Sequence, residues 1–175
     1  MKKLLVTMCL LAACVFVGCS GDNEKVIDGS NNSQQESNAT EKKGYVFESN
    51  SVAVVIDAEA EAILKGLGKE ESYYESPSCA FGDLDKIYVY PGYEIDTYSL
   101  EGIDYVSAVI FLDDSVATPE GVGIGATAGK VKEVYGEPTS ETATMLSYVK
   151  DHMKLCFIIN DDTVEAVEYR TMILE

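Results

Sequence analysis

The chain has 175 residues, 46% of them hydrophobic, with a formal net charge of −17 and a single histidine. That length holds one domain comfortably once a leader is set aside. Uncompensated negative charge repels nucleic acid and anionic lipid, and one histidine leaves a zinc site or a hydrolytic triad short of ligands.

The first segment, MKKLLVTMCLLAACVFVGCSGDN, sets two lysines before a run from Leu4 to Val17 whose only clearly polar residue is Thr7. Those fourteen residues fall short of the roughly 20 that a bilayer-spanning helix needs, so the run reads as an export signal. It ends in cysteines instead of an A-x-A cleavage site, which resembles the lipobox of bacterial lipoproteins. Two junctions compete, Leu11-Ala12-Ala13-Cys14 and Phe16-Val17-Gly18-Cys19. Cutting before Cys14 would leave Val15-Phe16-Val17 on the mature end, whereas everything from Ser20 onward is polar, so Cys19 is the expected lipidation site. A thioether to diacylglycerol requires a thiol, and two or more acyl chains (palmitate among them) anchor stably where one does not. Residues 1–18 are therefore expected to be a signal peptide. The mature chain is expected at the extracytoplasmic face of the cell membrane, anchored through Cys19.

Ser20 to Gly44 is rich in Ser, Asn, Gln, Glu and Lys and has no aromatic residue, so with Cys19 it reads as a disordered tether over 19–44. A coil of that length reaches roughly 25 to 30 Å, enough to hold a domain clear of lipid headgroups. Acids and bases cancel before Tyr45, which places the whole negative balance in residues 45–175. This domain keeps Cys79 and Cys156, a candidate disulfide in an oxidising compartment whose geometry spacing alone leaves open.

Self-similarity organises the domain. VVIDAEAEAILKGLGKE (54–70) overlies IGATAGKVKEVYGEP at a displacement of 68, matching Ile56 to Ile124, Ile63 to Val131 and Gly68 to Gly136. KIYVYPGYEIDTYSLEGIDYVSAVIF (86–111) overlies residues 144–169 at a displacement of 58, matching Tyr90 to Tyr148, Val106 to Val164 and Val109 to Val167. Ten extra residues of the first copy fall in KEESYYESPSCAFGDLD, expected as a loop over 69–85. Each copy reads as an extended lead, a short helix closed by glycine, and three strands in antiparallel hairpins. The expected fold is α+β and two-layered, two tandem helix-plus-three-stranded antiparallel sheet repeats over about 50–112 and 119–172.

The glycines of GVGIGA suggest a phosphate loop, but no alternating βαβ chain surrounds them, and a P-loop fails at Ile124 and Val131. A mechanical account is better: Thr127 caps a helix, Val131, Val134 and Tyr135 form its inward stripe, and Gly136 with Pro138 ends it. Gly121, Ile124, Gly125, Thr127, Val131, Gly136 and Pro138 make the pattern G-x-x-[IVL]-G-x-T-x-x-x-V-x-x-x-x-G-x-P. This resembles the signature of small α+β units shared by the SmpA/OmlA (BamE-type) envelope lipoproteins and the β-lactamase inhibitor proteins, the latter with two units in tandem. In the first copy Asp57 stands at the glycine and Glu59 at the threonine. The resemblance implies a scaffold for protein contacts: the envelope proteins help assemble other membrane proteins and the inhibitors plug an enzyme. The PSCAF segment, Pro77 to Phe81, is similar to one in clostridial lipoproteins and implies no activity.

Candidate chemistry is sparse. His152 sits in the expected turn KDHMK, and the acidic pairs Asp113-Asp114 and Asp161-Asp162 lack calcium-loop spacing and suit hairpin turns. No metal or cofactor is expected. Tyr73, Tyr74, Tyr88, Tyr90 and Tyr93 crowd the first copy, and rigid amphipathic rings favour binding surfaces, so they form the expected partner-binding face. The function expected is non-catalytic binding of a protein or envelope component. Two alternatives stand beside it: a thiol-dependent hydrolase or other enzyme using Cys79, for which no local pattern pairs His152 as a base, and a small-ligand-binding lipoprotein.

Overall fold

The computed structural model describes residues 44–78 and 83–174; the segments expected as signal peptide and tether up to residue 43, with Cys19, and Cys79 lie outside the described residues. β1 (Phe47–Ser49) and β2 (Val52–Val54) form a small hairpin turned by Asn50 and Ser51, both at positive φ. α1 (Ala60–Leu67) is followed by β3 (Ser72–Pro77), β4 (Leu84–Tyr90), β5 (Tyr93–Leu100) and β6 (Ile103–Phe111). α2 (Ala128–Tyr135) is followed by β7 (Ser140–Thr142), β8 (Met145–Lys150), β9 (Met153–Asn160) and β10 (Thr163–Thr171). β3 to β10 make one eight-stranded antiparallel sheet in the order β3-β4-β5-β6-β10-β9-β8-β7. Asp161 and Asp162 both take positive φ in the β9–β10 turn, the conformation a two-residue hairpin requires and Asp tolerates.

The fold is α+β. Both helices and the β1–β2 hairpin share one core with one face of the sheet: Phe47, Val54, Ala60 and Val131 join Ile95, Val109, Phe157 and Val167 in a single buried cluster. Phe47 lies at the middle of this layer, its ring 4.8 Å from Tyr93 and 5.2 Å from Phe111. Burying such rings against strands and helix faces supplies the main drive for the two layers to meet. Among the described residues no helix is long and apolar enough to cross a membrane.

Four strands follow each helix, where the hairpin pattern predicts three. The segment expected as a loop over 69–85 contains β3, which pairs with β4 from Ser72↔Val89 to Pro77↔Leu84. Its counterpart β7 spans three residues. Edge strands with water on both sides need no apolar alternation, so Ser72-Tyr73-Tyr74-Glu75 carries no period-two signal although its backbone completes the β4 ladder.

Matching contacts recur in the two halves. Asp57 and Gly125, both at positive φ (63° and 89°), donate their N–H to the carbonyls of Val106 and Val164 at 2.9 and 2.8 Å. Val106 and Val164 donate back to Ala58 and Ala126 at 3.0 and 2.8 Å. Gly68 and Gly136 close the helices at φ 85° and 78°, and each accepts a hydrogen bond from a buried tyrosine, Tyr90 at 3.4 Å and Tyr148 at 3.0 Å. One unopposed bulge residue interrupts the last hairpin of each half, Ser107 in β6 and Glu165 in β10. The halves differ at the helix start: Thr127 Oγ1 accepts from the Lys130 N–H at 3.1 Å, whereas Glu59 makes no side-chain cap.

Candidate functional site

The sheet face away from the helices carries a recess among the described residues. Cross-strand partners share a face, and one row runs Ile87 (β4), Asp96 (β5), Ala108 (β6), Arg170 (β10) and Lys154 (β9). Adjacent strands lie ~4.8 Å apart, so Asp96 and Arg170 flank Ala108 at about 10 Å between backbones. A methyl at position 108 leaves the space between them open. The recess measures about 400 Å³ and is bounded further by Ser76, Thr97, Ser107 and Leu174. The bulge at Ser107 is what puts both Ser107 and Ala108 beside Asp96 and Thr97, because two residues there oppose one.

Its polar groups are unevenly satisfied. Asp96 Oδ1 is buried and has no hydrogen-bond partner among the described residues; Thr97 Oγ1 is also unpartnered, but the next residue along β5 turns its side chain to the helix-side face, where it pairs across the sheet with Lys86 and Val106. Burial pushes the Asp96 carboxyl up to about 7; Glu94 raises it further, Arg170 opposes the shift, and Asp85 and Glu168 add to it. Arg170 also holds Glu168, its Nε donating to Glu168 Oε2 at 2.6 Å. Lys86 donates to Asp104 at 2.6 Å. Lys86 shares the helix-side face with Thr97, whereas Arg170 is close enough to Asp96 for each to act on the other's titration.

The five tyrosines expected as one binding face are distributed across the fold. Tyr90 and Tyr93 are 4% and 3% exposed, stacked in the core at 5.3 Å, and burial pushes the Tyr90 phenol up to about 12. Their placement on a binding surface is corrected accordingly: β4 and β5 turn these rings toward the helices, where the sheet needs apolar bulk. Tyr88 is half-buried beside α1. Tyr73 and Tyr74 are 41% and 61% exposed on edge strand β3 and, as successive strand residues, point to opposite faces. Tyr73 rests on Tyr88 with ring centres 5.1 Å apart and donates to Glu75 at 2.6 Å. Beside this pair an open groove of about 570 Å³ runs between Leu64 of α1 and Ile103.

Cys156 is buried in β9 opposite Ser147 and Glu168; its pairing with Cys79 lies outside the described residues. His152 is exposed in the β8–β9 turn. Among the described residues no group of three or more His, Cys, Asp or Glu side chains could hold a metal ion. Asp96 and Arg170 carried no mark in the sequence, since each sits in ordinary strand alternation; only the β5–β6–β10 register brings them to one recess.

No family model matches the chain, and neither a curated protein nor a solved structure matches it.

Proposed function

We propose that this chain is an envelope lipoprotein, held to the extracytoplasmic face of the membrane through Cys19, whose domain binds a protein or envelope component without catalysing a reaction. The observation that carries the reading is the recess over Ala108. It is ligand-sized, lies on a sheet face that no helix among the described residues covers, and is lined by serine hydroxyls, a carboxylate and a guanidinium suited to recognition. The same recess favours a second reading, a small-ligand-binding lipoprotein, because its volume lies within the range of small-molecule sites.

The domain is further read as two tandem copies of one helix-and-sheet unit, of the kind seen in β-lactamase inhibitor proteins. Support comes from the paired contacts: Asp57 with Gly125, Gly68–Tyr90 with Gly136–Tyr148, and bulges at Ser107 and Glu165. The junction adds to this, because Ile110 lies opposite Glu168 and these two are themselves matched positions, as a two-fold relation between copies requires.

Incorporation of labelled fatty acid, lost on Cys19→Ala, tests the anchor. Cell-surface crosslinking with the full chain and with Ala108→Phe, which fills the recess, tests the binding face. The reading expects the crosslinked product to disappear in Ala108→Phe while the urea midpoint shows the domain folded; an unchanged product from the folded variant rules this face out.

A further inference from the structure

A second surface lies on the helix side of the sheet, on the opposite face from Ala108. The groove of about 570 Å³ between α1 and the β5–β6 turn has hydrocarbon from Leu64, Tyr88 and Ile103 and carboxylates from Glu59, Glu61 and Asp104. Tyr73 extends the apolar part, its ring resting on Tyr88. Tyr73 and Ile103 are 41% and 43% exposed, and Leu64 and Tyr88 are half-buried. Hydrocarbon gathered in water at one place on so acidic a chain is the mark of a contact surface.

The second half of the domain builds the same place differently. Leu64 matches Lys132 at the displacement of 68, and Ile103 matches Asp161 at 58. Tyr73 stands opposite Tyr88 as Glu141 stands opposite Leu146, the residue matched to Tyr88. There Lys132 Nζ donates to Glu141 at 2.7 Å, and Leu146 is 2% exposed. Three positions that are charged in one half are thus apolar in the other, although both halves keep the same helix-closing bonds from tyrosine. The framework does not require hydrocarbon here, so packing does not account for it. The helix start differs in the same direction: Thr127 caps α2, whereas Glu59 makes no cap and leaves its carboxylate at the groove.

Charge selects the occupant. Lys86 holds Asp104 at 2.6 Å, but among the described residues no ion pair holds Glu59 or Glu61. The rim is therefore negative, on a chain of net charge −17. A second copy would bring the same sign to that rim, and anionic lipid is repelled likewise. Large apolar side chains flanked by lysine or arginine complement both the floor and the rim.

We propose that the groove between α1 and the β5–β6 turn docks a cationic amphipathic peptide segment of a partner protein, its apolar side chains against Leu64, Tyr73, Tyr88 and Ile103 and its basic residues over Glu59 and Glu61. This surface is independent of the recess over Ala108.

The chain has no tryptophan, so the emission of a tryptophan peptide reports docking without background. The probes, titrated into the purified full chain, are acetyl-Gly-Lys-Trp-Leu-Arg-Gly-amide, its counterpart with glutamate for lysine and arginine, and acetyl-Gly-Lys-Ser-Ser-Arg-Gly-amide as competitor. A saturable blue shift is expected with the first, none with the glutamate peptide, and no displacement by an equal concentration of the serine peptide. Affinity should fall as salt rises. Leu64→Lys with Tyr73→Glu, which installs the pair found at Lys132 and Glu141, should weaken binding at least about tenfold, the urea midpoint showing the domain folded. Ile103→Asp, a surface change at the turn, should weaken it as well. Glu59→Thr with Glu61→Gln should weaken it about three- to tenfold. Ala108→Phe should bind as the parent does, so failure of this groove and failure of the recess are separable. Absence of saturable binding, equal binding of the glutamate peptide, or parent affinity in both the folded double variant and Ile103→Asp overturns the proposal. A dimer in sedimentation that Leu64→Lys dissociates would give the groove to a second copy and overturn it too.

Discussion

The phenol of Tyr148 donates a 3.0 Å hydrogen bond to the carbonyl of Gly136, the glycine that closes α2. Tyr148 is 2% exposed but Gly136 is itself exposed, so removing the hydroxyl forfeits the net worth of one hydrogen bond at the helix end and leaves the carbonyl to water. Tyr148→Phe is expected to lower stability by about 1 to 2 kcal/mol in urea denaturation. The matched bond from Tyr90 to Gly68 is stretched to 3.4 Å, beyond good geometry, and Tyr90→Phe should cost less than half as much. Equal losses would contradict this ranking.

The helix starts make a reciprocal pair of predictions. Thr127→Ala removes the acceptor of the Lys130 N–H and should cost about 1 kcal/mol. Glu59 occupies the matching position without capping, so Glu59→Thr is expected to add up to about 1 kcal/mol. Thermal or urea melts of the two single variants measure both directions.

Asp96 ties stability to pH. Its carboxyl titrates at about 7 in the folded chain, against 3.8 for the ordinary group. Below about pH 4 both states hold the proton and the group is silent. Between about 4 and 7 the unfolded chain releases its proton first, so stability falls as pH rises, and above about 7 the whole cost is present. Three pH units correspond to about 4 kcal/mol at most. Asp96→Asn should therefore match the parent at pH 3 and exceed it by a few kcal/mol, roughly, at pH 8. The same gain at both pH values would show that charge is not its source.

The tyrosines separate by burial. Tyr93→Ser removes a ring packed against Phe47 and Tyr90 and should cost about 3 kcal/mol or more, as large core truncations do. Tyr74→Ser, on the exposed side of edge strand β3, should stay within roughly 0.5 kcal/mol. Chemical denaturation of the two variants checks the contrast.

Local chemistry was largely legible before any coordinates. Thr127, Val131 and Gly136 cap, bury and end α2 as their spacing indicated, because capping and helical periodicity act within one or two turns. The hairpins β4–β5, β5–β6 and β9–β10 likewise followed from alternation interrupted by Pro91-Gly92, Glu101-Gly102 and Asp161-Asp162. β3 was missed because an edge strand wet on both faces leaves no alternating pattern. Tyr90 and Tyr93 were misplaced for a related reason: a tyrosine suits a core and a surface equally by composition, and only the direction of the strand face decides.

Residue order by itself determined the turns, the helix ends, the expectation of an export leader and the lopsided charge of residues 45–175, all of which depend on neighbours in the chain. Tertiary structure decided the candidate site. Asp96, Ala108 and Arg170 meet only because β6 pairs with β10 in the register that sets Ala108 opposite Arg170, after a bulge at Ser107. A one-residue slip in either pairing would turn these side chains to the other face, and no local pattern encodes that choice; it is made by burying Val106, Val109 and Val167 on the side the helices cover.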